Sequence, residues 1–198
     1  MWLSNLQPRA VSHRLSSLEF AVDDQPKASG WSTRLNARRH LIQTVIEVCT
    51  IHATVVAAWR VGGWSGVLLR GPSGAGKSGL ALRLVVERGW RLVADDRAVT
   101  WASGGRAYAR APAALAGLIE VRTVGVLPLP ALPWAALALV VDCVSDPREL
   151  ERIPGPAWAE VAGVRLPRLA LNAGSPDGAA KLDLAARSHS WRSGGRPL

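Results

Sequence analysis

The stretch from Gly71 to Ser78 reads GPSGAGKS, and its residue types and spacing are those that can hold a phosphate. A glycine, four free positions, a second glycine, a lysine and a hydroxyl residue make up the phosphate-loop pattern. The glycines let backbone N–H groups turn toward an anion, and the N-terminus of a following helix adds partial positive charge. Lys77 can reach the outer phosphates of a nucleotide, and Ser78 can offer its hydroxyl to magnesium. Gly71, Pro72, Ser73, Gly74, Ala75, Gly76, Lys77 and Ser78 are therefore candidate nucleotide-binding positions, with ATP and Mg2+ as the cofactors such a loop serves.

Phosphoryl transfer needs a second, acidic site that orients the metal and handles the proton of the attacking hydroxyl. Two candidates stand in the chain. Asp95-Asp96 follow a short strand directly, and adjacent carboxylates at a strand end can divide the work, one facing the metal and one the acceptor. Asp142 ends the apolar run Leu137-Ala138-Leu139-Val140-Val141 and has the look of an acid after a buried strand. The residues alone leave the choice between them open.

The elements that must position these groups can be read from local pattern. Val67-Leu68-Leu69 forms a strand into the loop, and Leu80 to Val85 has helical spacing leading out of it. Thr44 to Trp59, rich in Val, Ile and Thr, is expected to pair with Val67–Arg70 as a hairpin across the turn Val61 to Gly66. Arg88-Gly89 stops the helix. Trp90 to Ala94, Arg97 to Trp101 and Arg106 to Ala109 read as strands, the last two around Ser103-Gly104-Gly105. A proline-rich connection spans 127 to 133, and Trp134 to Val141 is a strand ending at Asp142. Ser145 to Glu160 is expected to be partly helical, Val164 to Leu171 a late strand, Asn172 to Gly178 a loop, and Lys181 to Ala185 a last short strand. These elements give an α/β phosphate-loop domain over residues 44–186, with a mixed, mostly antiparallel-edged sheet and few helices.

Composition narrows the classes. A chain of 198 residues, 48% of them apolar, can bury one sizeable core. Its longest apolar run, Leu127 to Val144, is interrupted by Pro128, Pro130 and Pro133 and carries Asp142, which excludes a membrane-spanning helix there. Two cysteines, Cys49 and Cys143, make neither a zinc framework nor a disulfide scaffold, so a reducing cytoplasm is the simplest setting. The net charge of +9 divides equally: residues 1–43 carry six Arg and Lys against three acids, residues 187–198 carry three Arg against none, and the remainder is +3. Two thirds of the excess thus sits in the ends, read as a loosely structured extension over 1–43 and a flexible tail over 187–198, and nucleic acid is not the expected partner. The extension holds Glu19, Asp23 and Asp24 and lacks the apolar core of a secretory signal.

His52, then GPSGAGKS, then RGWRLVADD, then Gly117-Leu118-Ile119-Glu120-Val121-Arg122-Thr123-Val124-Gly125-Val126, in that order, resemble the catalytic domain of HPr kinase/phosphorylase, closest to short bacterial forms without a separate N-terminal domain. The resemblance implies an enzyme that phosphorylates a serine of the phosphocarrier protein HPr with ATP and can remove that phosphate by phosphorolysis with inorganic phosphate. It implies that Lys77 stabilises the transferring group, that Ser78 and Glu120 hold magnesium, that Asp96 is the acid/base with Asp95 in support, and that His52, on an early strand, stands near the nucleotide. Lys181 is the first candidate for the family's late basic catalytic residue, and Arg168 the second. Thr123 stands where the family has glycine, a type favoured where the backbone approaches closely or turns with positive φ. The family forms rings of six catalytic domains, so a homo-oligomer is implied as well. Two rivals stand beside this reading: a small-molecule kinase using Asp142, and a non-catalytic ATP-sensing module.

Overall fold

The computed structural model describes residues 48–188. The extension expected over 1–43 and all of the expected tail beyond Ser188 lie outside the described residues. β1 (Cys49–Ile51) is separate from β2 (Thr54–Arg60), so the stretch expected as one strand is broken at His52 and Ala53. β2 and β3 (Gly63–Arg70) form the hairpin, but the turn is shorter than the glycine pattern implies. Only Val61 and Gly62 remain outside the strands, Gly62 taking φ +94°, and Arg60 pairs with Gly63. The phosphate loop follows β3 and opens α1 (Lys77–Arg88), whose buried Leu80, Ala81, Leu84 and Val85 recur at helical spacing. Gly89, at φ +69°, ends it with its N–H on the Leu84 carbonyl.

β4 (Arg91–Ala94), β5 (Ala98–Ser103) and β6 (Arg106–Arg110) lie as the sequence expects. β7 (Leu118–Val121) and β8 (Gly125–Pro128) make a small hairpin of their own, and β8 takes residues expected in the proline-rich connection. β9 (Ala135–Val144) runs past Asp142 and does not end there, because Asp142 still pairs with Arg70 of β3 and with Ala170 of β11 (Val164–Asn172). β10 (Ala157–Val161) occupies part of the segment expected to be helical; only the single 3-10 turn Pro147–Glu149 is helical in it. The last element is a helix, α2 (Gly178–Arg187), and not a strand: Ala179 and Leu182 are buried while Leu184 is 71% exposed, a three-residue spacing that alternation does not fit.

The main sheet runs β1-β5-β6-β9-β3-β2-β4, with β11 also paired to β9 and β10 to β11. β3, β9 and β11 are parallel, and the other pairs are antiparallel. Because β2, β3, β4 and β9 are covered on both faces, each splits its side chains between two cores. Val56, Leu69, Leu92 and Val141 pack with α1 and α2, whereas Val55, Leu68, Val93 and Val140 pack with residues of β5, β6, β10 and β11. The sheet thus curls over its second core and presents the carboxyl end of parallel β3 as a rigid platform for the phosphate loop. No helix among the described residues is long and apolar enough to cross a membrane.

Thr123 lies in the β7–β8 turn, which the Val124 N–H closes on the Val121 carbonyl at 2.9 Å. Its φ is +69°, so this β-branched residue holds the conformation that favours glycine. Thr123→Gly is expected to raise the unfolding free energy by about 1 kcal/mol, read as a higher denaturant midpoint at unchanged slope; a lower midpoint would contradict the strain assigned to Thr123.

Candidate active site

Steric demand explains two of the loop glycines. At Gly71, φ is +146° and a Cβ would lie 2.4 Å from the Cys143 carbonyl oxygen; at Gly76, φ is +87° and a Cβ would meet the Gly174 nitrogen at 3.3 Å. The backbone can therefore fold tightly between β9 and the loop after β11 while the first N–H groups of α1 stay directed at the cleft. Lys77, 6% exposed, donates to the carbonyls of Gly71 and Pro72 at 2.9 Å each, and its ammonium lies 3.2 Å from Nε2 of His52. Burial pushes the neighbouring Cys143 thiol up to about 12, which keeps it out of thiolate chemistry.

Asp95, just beyond β4, is 4% exposed, and three elements converge on its carboxylate. Thr54 Oγ1 of β2 donates to Oδ1 at 2.7 Å, Ser78 Oγ of α1 donates to the same oxygen at 2.8 Å, and the Glu120 N–H of β7 donates to Oδ2 at 3.2 Å. The Ser78 hydroxyl thus donates its hydrogen bond to Asp95, which leaves an oxygen lone pair for a cation. Asp96 faces elsewhere. Its φ is +62°, and the Arg97 N–H returns to the Asp95 carbonyl at 2.7 Å, a tight three-residue turn that reverses the side-chain direction. Its side chain is 61% exposed, with Oδ1 3.2 Å from His52 Nδ1, which also lies 3.0 Å from the Asp96 carbonyl. With Nε2 facing the Lys77 ammonium as acceptor, Nδ1 carries the proton and donates to Asp96; the tautomer is assigned from these partners. His52 is at a bend between β1 and β2, one step off the strand where it was expected.

A cleft of about 330 Å³ joins these groups. The phosphate loop and Lys77 form one wall, Asp95, Asp96 and His52 the floor, and Glu120 and Arg122 of the β7–β8 hairpin the other wall. The donors available to a cation are the Ser78 hydroxyl and the carboxylates of Asp95 and Glu120, all hard oxygen. Among the described residues no group of three or more His, Cys, Asp and Glu could hold a metal unaided. The hard-oxygen donor set fits magnesium, which dehydrates reluctantly and is held by one or two carboxylates together with substrate phosphates.

Two expected residues are not brought to this cleft. Lys181 pairs with Asp177 at 2.7 Å and borders a different depression, with Ser145, Asn172 and Ser175. Arg168 pairs with Asp142, which Arg70 also holds at 2.5 Å. Burial by itself would raise the Asp142 carboxyl, but hydrogen bonds from Arg70 and Arg168 and their charges hold it below the usual carboxylate range. Asp142 therefore clamps β3 and β11 to β9 through the two guanidinium groups and does not line the cleft. Two contributors have no signal in the sequence. Thr54 reads as an ordinary strand residue, and Arg83 reads as a solvated helix cation, yet Arg83 reaches the carbonyls of Ala173, Ser175 and Pro176 and ties the loop beside Gly76 to α1.

Fold and cleft together define an α/β phosphate-loop domain. The family described as HPr Serine kinase C-terminal domain matches residues 43–132. HPr kinase/phosphorylase of Streptococcus salivarius is 33% identical over 141 residues, which are 66% of this chain and 44% of that protein. The Clostridium tetani HPr kinase/phosphorylase is 33% identical over 151 residues, 72% of this chain and 48% of that protein. The chain thus spans a little under half the length of these relatives. A solved structure of the Hpr(Ser) kinase/phosphatase from Coxiella burnetii shares the fold at a TM-score of 0.63, with 21% identity, covering 74% of this chain and 99% of that one. Residues 43–132 thus match the HPr Serine kinase C-terminal domain, and the similarity to HPr kinase/phosphorylases extends over 66% to 72% of the chain.

The Asp142 clamp has a pH signature. A carboxylate with a depressed folded pKa contributes stability above its unfolded pKa and loses it as pH falls through the folded one. Asp142→Asn is therefore expected to lower the unfolding free energy near neutral pH, and the gap to the parent protein should close in acid as the parent loses by protonation what the variant lacks throughout. Denaturant titrations at stepped pH check this; a gap that stays constant down to the acid end contradicts the clamp.

Proposed function

We propose that the chain is an ATP-dependent protein serine kinase acting on HPr, with phosphorolytic removal of the same phosphate as its reverse activity. The observation that carries this reading is the division between two adjacent carboxylates: Asp95 is buried and occupied by donors, while Asp96 is exposed in the cleft beside Lys77 and His52. Asp96 is the group free to take a proton from an incoming serine hydroxyl. As the serine oxygen bonds to the γ-phosphorus, the bond to the β-phosphate oxygen breaks and ADP leaves, with Lys77 near enough to the loop to offset charge on the transferring oxygens. In reverse, inorganic phosphate attacks the phosphoserine, Asp96 returns the proton to the departing serine oxygen, and pyrophosphate forms. His52 holds Asp96 through Nδ1–H and faces Lys77 with Nε2, so it orients both groups. Ser78 and Glu120, with Asp95 behind them, would hold magnesium, which would supply neutralisation of phosphate charge when bound.

A protein acceptor suits the exposure of Asp96 and the open wall formed by the β7–β8 hairpin. The names of the related proteins support HPr as that acceptor. A cytoplasmic homo-oligomer belongs to the same reading. The small-molecule alternative loses its acid, because Asp142 is engaged by two guanidinium groups and does not line the cleft.

Incubation with labelled ATP, Mg2+ and HPr is expected to give phosphoserine. Asp96→Asn should lower the rate at least about 100-fold, while Asp142→Asn, compared where it remains folded, stays within about tenfold of the parent protein. The opposite ranking of the two variants would move the chemistry to Asp142. ATP binding with no transfer at any pH would favour a sensor over an enzyme.

A further inference from the structure

Thr54 opens β2 opposite Leu69 of β3, between Ala53 and Val55, and is fully buried. Every nearby position on this strand is apolar, and valine has the same shape. A hydroxyl here costs free energy unless it is bonded, and its bond is to Asp95 Oδ1 at 2.7 Å, the oxygen that also accepts from Ser78 at 2.8 Å. We infer that Thr54 is a positioning residue, whose hydroxyl fixes the Asp95 carboxylate so that Ser78 keeps its proton on Asp95 and its lone pair toward the magnesium of a bound nucleotide. This role rests on the nucleotide reading of the cleft, though not on the identity of the phosphate acceptor.

The physical case is one of counting donors. A carboxylate with two donors on Oδ1 and one on Oδ2 has a single preferred orientation, whereas with Ser78 alone on Oδ1 it can turn and draw the Ser78 hydroxyl with it. Thr54 is the only one of the three donors that has no other duty at the loop: Ser78 meets the metal, and the Glu120 N–H belongs to the hairpin that carries a metal-side carboxylate. Asp95 stands one step behind the Ser78 hydroxyl, where partners are worth about 10- to 100-fold in metal affinity, and Thr54 acts through it at the lower end of that range. The rival account, in which Thr54 only fills space in the core, makes a different forecast: its removal would change stability and leave the metal dependence of binding untouched.

The two accounts separate in an equilibrium titration of ATP binding, with Mg2+ added stepwise and a parallel series in EDTA. For Thr54→Val the Mg2+ concentration at half effect is expected to rise about tenfold or more, while ATP affinity in EDTA stays within about twofold of the parent protein. Thr54→Ser, which retains the hydroxyl, should restore the parent midpoint. If Thr54→Val does not melt cooperatively, Thr54→Ala is read by the same limits. An unchanged Mg2+ midpoint, or an equal loss of affinity with and without Mg2+, overturns the role assigned to Thr54. Binding needs no acceptor protein, so failure of transfer to HPr alongside the expected midpoint shift would overturn the substrate assignment and leave Thr54 in place. ATP binding indifferent to Mg2+ in the parent protein would overturn both.

Discussion

A carboxylate buried at the end of β4 governs the arrangement of everything around the cleft. Removing an ionised Asp95 from water costs several kcal/mol unless donors replace the lost solvation, and the donors come from three separate parts of the chain. Thr54 requires β2 to lie against β4, Ser78 requires the first turn of α1 to sit over the strand end, and the Glu120 N–H requires the β7–β8 hairpin to close from the far side. The first turn of α1, the hairpin strand β2 and the β7–β8 hairpin are thus tied to one another through two oxygen atoms. Removing Asp95 from this set would leave three buried or half-buried donors facing one another.

The same constraint frees its neighbour. A chain continuing as regular strand would send successive side chains to opposite faces, but it would also carry Asp96 away along the sheet. The left-handed conformation at Asp96, closed by the Arg97 N–H on the Asp95 carbonyl, turns the chain at once and leaves the Asp96 side chain exposed in the cleft. Aspartate tolerates this backbone region better than most residues, and His52 holds it there through its carbonyl and carboxylate together. Two identical side chains in sequence thereby stand differently, one buried as a fixed acceptor for two hydroxyl groups and one exposed in the cleft.

What could be read in the sequence was local. The phosphate loop is legible because its glycines answer steric demands inside one turn, and the β2–β3 hairpin because its strands are adjacent in the chain. Thr123 is legible only through the family resemblance, which puts glycine at that position, and φ there is +69°. Lys181 to Ala185 misleads, since Leu182 and Leu184 alternate as in a strand while the burial that decides the element comes from Trp90, whose indole N–H donates to Asp183 at 3.0 Å across 93 residues. Asp142 misleads for a related reason. Its two arginine partners stand 72 and 26 residues away, and without them an acid after an apolar run looks poised for metal. Thr54 carries no signal in the sequence, because a threonine in a strand is ordinary and what distinguishes it is a contact 41 residues distant.

The most direct measurement of this account compares Asp95→Asn and Asp96→Asn side by side, recording Mg2+-dependent ATP binding and single-turnover transfer to HPr on the same preparations. The account predicts a split: Asp95→Asn weakens metal-dependent binding, whereas Asp96→Asn binds ATP and Mg2+ as the parent protein does and fails to transfer. Equal losses of binding in the two variants, or transfer at the parental rate by Asp96→Asn, would contradict it.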